Sequence, residues 1–213
     1  MAERSVMGRT SDILANSGVV DLSLSLGFDL VFLDDLNPDG WKDIRAQGLH
    51  CKHGFRIARI FTDAQKVVET FCLETHRLGG DFTVRLKNSV GAVAARPKGS
   101  SYDYMRGLHS SPFQGLMVAE INAFYRTDLV LMDAAKDFVT GGSEAGDAVE
   151  PGLLLASNNR VAVDAVGVTT LSYYGTTTEA SHDRIFEQEQ IARAASLGVG
   201  ARSADRIELV PLN

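Results

Sequence analysis

Residues 19–35 read VVDLSLSLGFDLVFLDD, and this stretch decides the fold class. Val19 to Leu26 predicts a helical turn or two, ended by Gly27. Phe28 to Leu33 is apolar, short and bounded by turn signals, which predicts a buried strand. Asp34-Asp35 follow its end, and Asn37-Pro38-Asp39-Gly40 is a strong turn. Helix, short apolar strand, then loop is the rhythm of an α/β domain.

That rhythm continues in both directions. Upstream, Thr10 or Ser11 is expected to cap a short helix through Ile13 and Leu14, stopped near Gly18. Downstream, Phe55 to Ile60 alternates like a strand with one wet face, while Lys66 to Leu73 fits either helix or strand. Phe82 to Ala95 leans helical, and residues 97–112, with Pro, Gly and Ser, read as a long loop. Phe113 to Tyr125 fits an amphipathic helix with Leu116, Ala119, Ile121 and Phe124 inward, and Leu129 to Met132 a buried strand ending at Asp133. A polar loop at Thr140 to Asp147 precedes an apolar strand at Leu153 to Ala156. Asn158-Asn159 can cap a helix from Arg160 to about Tyr173, and Gly175 stops it. A helix from Phe186 to Leu197 and a last strand from Ile207 to Val210 complete the chain. The expected architecture is a single α/β domain over residues 1–213, with a mixed or mostly parallel sheet flanked by helices.

Composition narrows the function classes. The 213 residues are 45% hydrophobic and 23% charged, which excludes a disordered tail, a collagen and a coiled coil. A net charge of −6 argues against nucleic acid as a partner, because gripping phosphates requires a basic excess or stripe. The balance is uneven: residues 76–106 hold six basic side chains against Asp81 and Asp103, whereas residues 140–190 hold eight carboxylates against Arg160 and Arg184. Solvated surface accounts for both; the sharper reading is that the central segment receives an anionic ligand. Cys51 and Cys72 are the two cysteines, which fits a reducing, cytoplasmic setting. No apolar run reaches the ~20 residues of a membrane span, so no membrane is expected. In the opening Met-Ala-Glu-Arg-Ser an acidic residue stands where a signal peptide carries a basic one, and no apolar stretch follows directly, so no signal peptide is expected.

Ligands of open α/β sheets sit outside the carboxyl ends of strands. Asp34, Asp35 and Asp133 follow predicted strands, and Gly141-Gly142 come soon after Asp133, where glycines can point amides at an anion. A plain surface loop is the competing account. His76, followed by Gly79-Gly80 and then Lys87-Asn88, places an acid/base group and a cation close in sequence. His109 is a further candidate, although a lone histidine more often simply completes a hydrogen bond. Cys51, His53, Cys72 and His76 are ligand types that zinc or iron accepts, but Cys51-x-His53 is tighter than usual finger spacing and Cys72 can equally be a small core residue. No iron–sulfur cluster is expected from this chain alone, since four thiolates are the norm. No Gly-x-Ser-x-Gly elbow supports nucleophilic catalysis.

Several of these residues fall in a familiar order. Thr75-His76-Arg77, Leu86-Lys87-Asn88-Ser-Val-Gly91, His109, Leu131-Met-Asp133, Gly141-Gly142, Leu155-Ala-Ser157 with Val161-Ala-Val-Asp164-Ala-Val-Gly167, and Gln190-Ile-Ala-Arg193 to Leu197-Gly198 follow one another. The string is similar to the family called domain of unknown function 362, over nearly the whole chain. The resemblance implies an α/β domain, often found beside ferredoxin-type cluster domains, with no generally established activity. The chain departs from the pattern in lacking the upstream strand–helix unit with Lys-Pro-Asn, in Glu74 where a lysine is common, in Ser143 after the glycines where a proline is frequent, and in lacking the ferredoxin cysteines of some relatives. A short N-terminus is expected to leave a sheet edge open.

Three functions follow as expectations. The first is an enzyme-like domain for a small anionic ligand, with His76, Lys87 and Asp133 as catalytic groups and Asn88, His109, Gly141 and Gly142 around the ligand. The second is a non-catalytic accessory module that pairs with its own copy, as a homo-oligomer, or with an iron–sulfur redox partner protein. The third is a zinc or iron protein using Cys51, His53, Cys72 and His76.

Overall fold

The computed structural model describes residues 1–5, 8–75, 82–83, 85–96, 101–142, 145–176 and 184–212. His76, Gly79, Gly80 and Ser143, all singled out above, lie outside them. Eight α-helices and small sheets of both strand polarities are found among the described residues, which makes the protein α/β. Its residues gather into two compact units, a smaller one from 1–64 and 90–105 and a larger one from 65–89 and 106–213.

In the smaller unit β1 (Ala2–Glu3) pairs in parallel with β2 (Val31–Phe32). Between them lie α1 (Thr10–Asn16) and α2 (Val19–Leu26), with Gly27 in the left-handed region at φ 71° closing α2 as its sequence predicts. The strand expected over Phe28–Leu33 is only two residues long, because Leu33–Asp35 turn into a 3-10 helix. Nor does Thr10 cap α1 by its side chain: its hydroxyl donates to Asp34 Oδ2 and accepts from Ser5 N. The antiparallel hairpin β3 (Trp41–Ile44) and β4 (Phe55–Ala58) follows, joined by residues 45–54, and α3 (Arg59–Asp63) ends this part. Gly54 sits at φ 68°, and a Cβ there would lie 2.5 Å from Ile44 O, so only glycine closes the loop in this shape.

The larger unit is built on a three-stranded sheet in the order β11–β8–β5. Here β5 (Val68–Cys72) runs parallel to β8 (Leu129–Ala134), and β11 (Leu153–Ser157) runs antiparallel to β8. The ambiguous segment before Leu73 is thus a strand. The short strands β6 (Glu74–Thr75), β7 (Phe82–Thr83), β9 (Asp137–Phe138) and β10 (Ala148–Val149) extend beyond the sheet. Helices α4 (Arg85–Asn88) and α7 (Arg160–Tyr173) pack on it, and α6 (Gln114–Ile121) packs on α8 (Glu189–Ser196). Asn159 caps α7 as expected: its Oδ1 accepts from Ala162 N and from Ala201 N, both at 3.0 Å.

Other segments also differ from the sequence expectation. The one expected to be helical from Phe82 to Ala95 is α-helical over Arg85–Asn88 and continues as a 3-10 turn over Ser89–Ala92. Residues 104–110 form a helix, α5 (Tyr104–Ser110), inside the region read as a loop; Tyr104 and Leu108 are almost wholly buried, and that burial outweighs the local Gly and Ser content. Ile207 to Val210 pair with no strand among the described residues.

Strand alternation gives the sheet two unlike faces. Glu69, Val130, Met132 and Ala134 are buried on one. On the other, Val68 is 57% exposed and Leu154 76%, with Leu129, Thr70 and Ala156 also exposed.

Candidate functional site at the strand ends

The larger unit gathers its titratable groups where β5 and β8 end side by side. Cys72 and Asp133 are register partners, and Leu73 N donates to Asp133 O at 2.9 Å. The chain leaves β5 into β6, which starts with Glu74, and leaves β8 through a turn into β9, which starts with Asp137. Asp133 shapes that turn, since its Oδ1 accepts from Ala135 N at 2.8 Å. The two extensions are tied together by Thr75 Oγ1, which donates to Phe138 O at 3.1 Å. Cys72, Glu74, Asp133 and Asp137 therefore form one rim at the carboxyl ends of two parallel strands, where open α/β sheets place their ligands.

Asp137 is the unusual member. It is 3% exposed, and neither carboxyl oxygen has a hydrogen-bond partner among the described residues. Burial, with the negative charges of Asp133 and Glu74 nearby, pushes its carboxyl up to about 7. It is therefore half-protonated near neutrality, where a carboxyl group can both give and take a proton. Asp133, by contrast, is exposed. The Cys72 thiol is pushed up by partial burial and by Asp133, Glu74 and Asp137 in turn, which makes it a poor thiolate for a nucleophile or a metal ligand.

Of the residues expected from the sequence, Asp133 lies on this rim. Lys87 is on α4 and buried, and Asn88 beside it is exposed. Helix α4 is anchored from within, with Leu86 N donating to Asp164 Oδ2 at 3.1 Å and Leu86 O accepting from Asn122 Nδ2 at 2.9 Å. His109 is half-buried in the last turn of α5. The hydrogen bond that Asp133 makes with its side chain goes to its own turn, at Ala135 N, and not to Lys87, Asn88 or His109. Gly141 and Gly142 have φ of 70° and 81°, and their loop closes on itself. Gly142 N donates to Ala145 O, and Thr140 Oγ1 exchanges hydrogen bonds with Asp147. These glycines serve a tight turn, and the Gly142 amide is already committed.

Of the four metal-ligand candidates, Cys51 is buried with its Sγ 2.6 Å from Tyr104 Oη, His53 is exposed and stacked on Tyr102, and Cys72 stands on the rim. No three His, Cys, Asp or Glu side chains among the described residues are placed to hold a metal ion. The sequence reading missed Glu74 and Asp137. The usable signal was Asp137 four residues after Asp133, close enough in sequence for one short turn to fold it back beside the strand end.

No helix among the described residues is long and apolar enough to cross a membrane. Comparison with known proteins found no match among curated proteins or solved structures. The model of one family, described as Domain of unknown function (DUF362), matches residues 1–169. That span covers well over half of the chain, from β1 through most of α7, and includes every member of the rim; the protein belongs to the DUF362 family.

Proposed function

We propose that the larger unit is an enzyme-like, small-molecule-binding domain that exchanges a proton through Asp137. The observation that carries this reading is a carboxyl group buried without a hydrogen-bond partner among the described residues, at the ends of two parallel strands. A buried polar group left unsatisfied costs stability, and such groups persist chiefly where function needs them. The buried Asp137 carboxyl, with the exposed Asp133 beside it, favours a ligand that presents a positive or hydrogen-bond-donating group, as an alternative to the anionic ligand expected from the sequence. A reducing, cytoplasmic setting goes with the reading, since neither Cys51 nor Cys72 is in a disulfide.

The test is a thermal-shift series at pH 8, where Asp137 is mostly ionised, with primary amines and amino acids set against the matching carboxylic acids. Amine-bearing compounds are expected to raise the melting temperature of the wild type and to lose that effect in Asp137→Asn. Equal shifts in both proteins, or none from any amine, would sink the reading.

A second reading, an accessory module that pairs with its own copy, is favoured by the apolar outer face of the sheet around Val68, Leu129 and Leu154. It predicts a dimer in sedimentation equilibrium that Leu154→Lys converts to a monomer. Leu154 is mostly exposed, so the substitution leaves folding intact. A wild-type protein that sediments as a monomer at high micromolar concentration removes this reading.

A further inference from the structure

The hairpin loop between β3 and β4 in the smaller unit forms an open cleft of about 430 Å³, lined among others by Arg45, Gln47, Lys52, His53 and Gly54. That volume falls within the range of small-molecule sites. No carboxylate among the described residues lines it. Three other arginines of this unit are paired: Arg4 with Asp34 at 3.1 Å, Arg56 with Asp43 at 3.1 Å, and Arg59 with Asp63 at 3.8 Å. Arg45 and Lys52 have no such partner among the described residues, so the cleft holds two uncompensated cations.

The loop is held in shape from beneath. Cys51 is buried against Tyr104, Lys52 N donates to His50 O at 2.9 Å, and Gly54 N donates to Cys51 O at 2.8 Å. Gly54 lets the chain turn tightly under Arg45, whose Cγ would lie 3.1 Å from a Cβ at that position. Rings continue from the cleft inward. His53 stacks on Tyr102 with centroids 4.3 Å apart and planes at 29°, Tyr102 meets Tyr104 edge-on at 6.4 Å, and Tyr104 stacks on Phe55 at 5.7 Å. His53 is the exposed end of this row.

We propose that this cleft binds a ligand carrying both a phosphate and a flat ring, of the nucleoside monophosphate class, with the phosphate between Arg45 and Lys52 and the ring stacked on His53. A guanidinium matches phosphate oxygens two at a time, and an ammonium adds a mobile point charge. An aromatic base extends a stack of rings whatever its edge pattern, so the site selects a base-plus-phosphate shape and not one particular base. The cleft is built wholly from the smaller unit and does not depend on the reading of Asp137.

Calorimetric titration with adenosine monophosphate, adenosine and inorganic phosphate tests it. The monophosphate is expected to bind more tightly than either half. Charge reversal in Arg45→Glu/Lys52→Glu is expected to weaken that binding about tenfold or more, the loss that follows when charge-assisted hydrogen bonds are removed. His53→Ala should cost about fivefold through the lost stacking. All three side chains are exposed, so the melting temperature should hold and report that the fold is intact. The proposal is overturned if the monophosphate fails to bind at millimolar concentration, if it binds no better than inorganic phosphate, or if either variant binds it like the wild type.

Discussion

The stability of the wild type is expected to fall as pH rises from about 4 to 7, and Asp137→Asn is expected to remove most of that fall. The folded-state carboxyl of Asp137 is raised to about 7 from an ordinary value of 3.8. Between those values the folded chain keeps a proton that the unfolded chain has released. The folded state then binds more protons than the unfolded state, so stability decreases with rising pH through that window. Below pH 3.8 both states are protonated and Asp137 contributes no penalty; above 7 both are ionised and the penalty is complete. Each tenfold change in the acidity of the group corresponds to about 1.4 kcal/mol, which makes about 4 kcal/mol the ceiling. Solvent at the rim screens this, and about 2 kcal/mol is the working expectation. For a chain of this size that is a change in melting temperature of roughly 4–8 °C. Other groups titrate in the same range, so the quantity to measure is the wild-type minus Asp137→Asn difference at each pH by urea unfolding. Asp133→Asn should move the falling limb to lower pH, because the Asp133 charge is one cause of the elevation. A difference that stays flat from pH 4 to 8 would show that Asp137 carries an ordinary carboxyl group.

The same residue shows what the sequence could and could not disclose. Elements with strong local signals read correctly: the glycine-ended α2, the Asn159-capped α7, and β8, a six-residue strand rich in Leu, Val and Met. Asp133 was legible because it sits at the end of such a strand. Glu74 and Asp137 were not, since each lies in a two-residue strand, and so short a segment carries no periodicity. Their approach depends on pairing between residues 63 positions apart, as in the Thr75–Phe138 hydrogen bond. Helix α5 was hidden for a related reason: its composition reads as loop, and buried contacts of Tyr104 and Leu108 override it. Helix α6 shows the opposite limit. The amphipathic pattern put one face inward, yet Met117 to Ile121 are all buried, including Glu120, which Arg193 meets at 2.7 Å. No pattern of apolar residues reveals a buried glutamate whose partner comes from another helix.

The largest loss of stability is expected from Arg160→Ala. Arg160 opens α7 and is 6% exposed. Its guanidinium donates to the carbonyls of Asn122 and Tyr125 and lies 4.8 Å over the Tyr125 ring. Tyr125 Oη in turn donates to Glu69 Oε1 at 2.6 Å, and Thr127 Oγ1 donates to Glu69 Oε2 at 3.0 Å. Removing the guanidinium takes away those two donors and the cation that faces Tyr125, and it leaves the buried Glu69 carboxylate in place. Loss of one member of a buried charged network costs roughly 3–5 kcal/mol, a large share of the about 5–15 kcal/mol by which domains are stable. The urea midpoint should fall accordingly with an unchanged slope. Arg160→Lys should recover only part, because a single ammonium cannot reproduce the planar fork that serves two carbonyls. Glu69 lies on β5, the strand that goes on to carry Cys72 and lead into Glu74, so this network holds the floor beneath the acidic rim. A loss below about 1 kcal/mol, the size of an ordinary surface change, would mean that water replaces the guanidinium and that the network is not what fixes the strand.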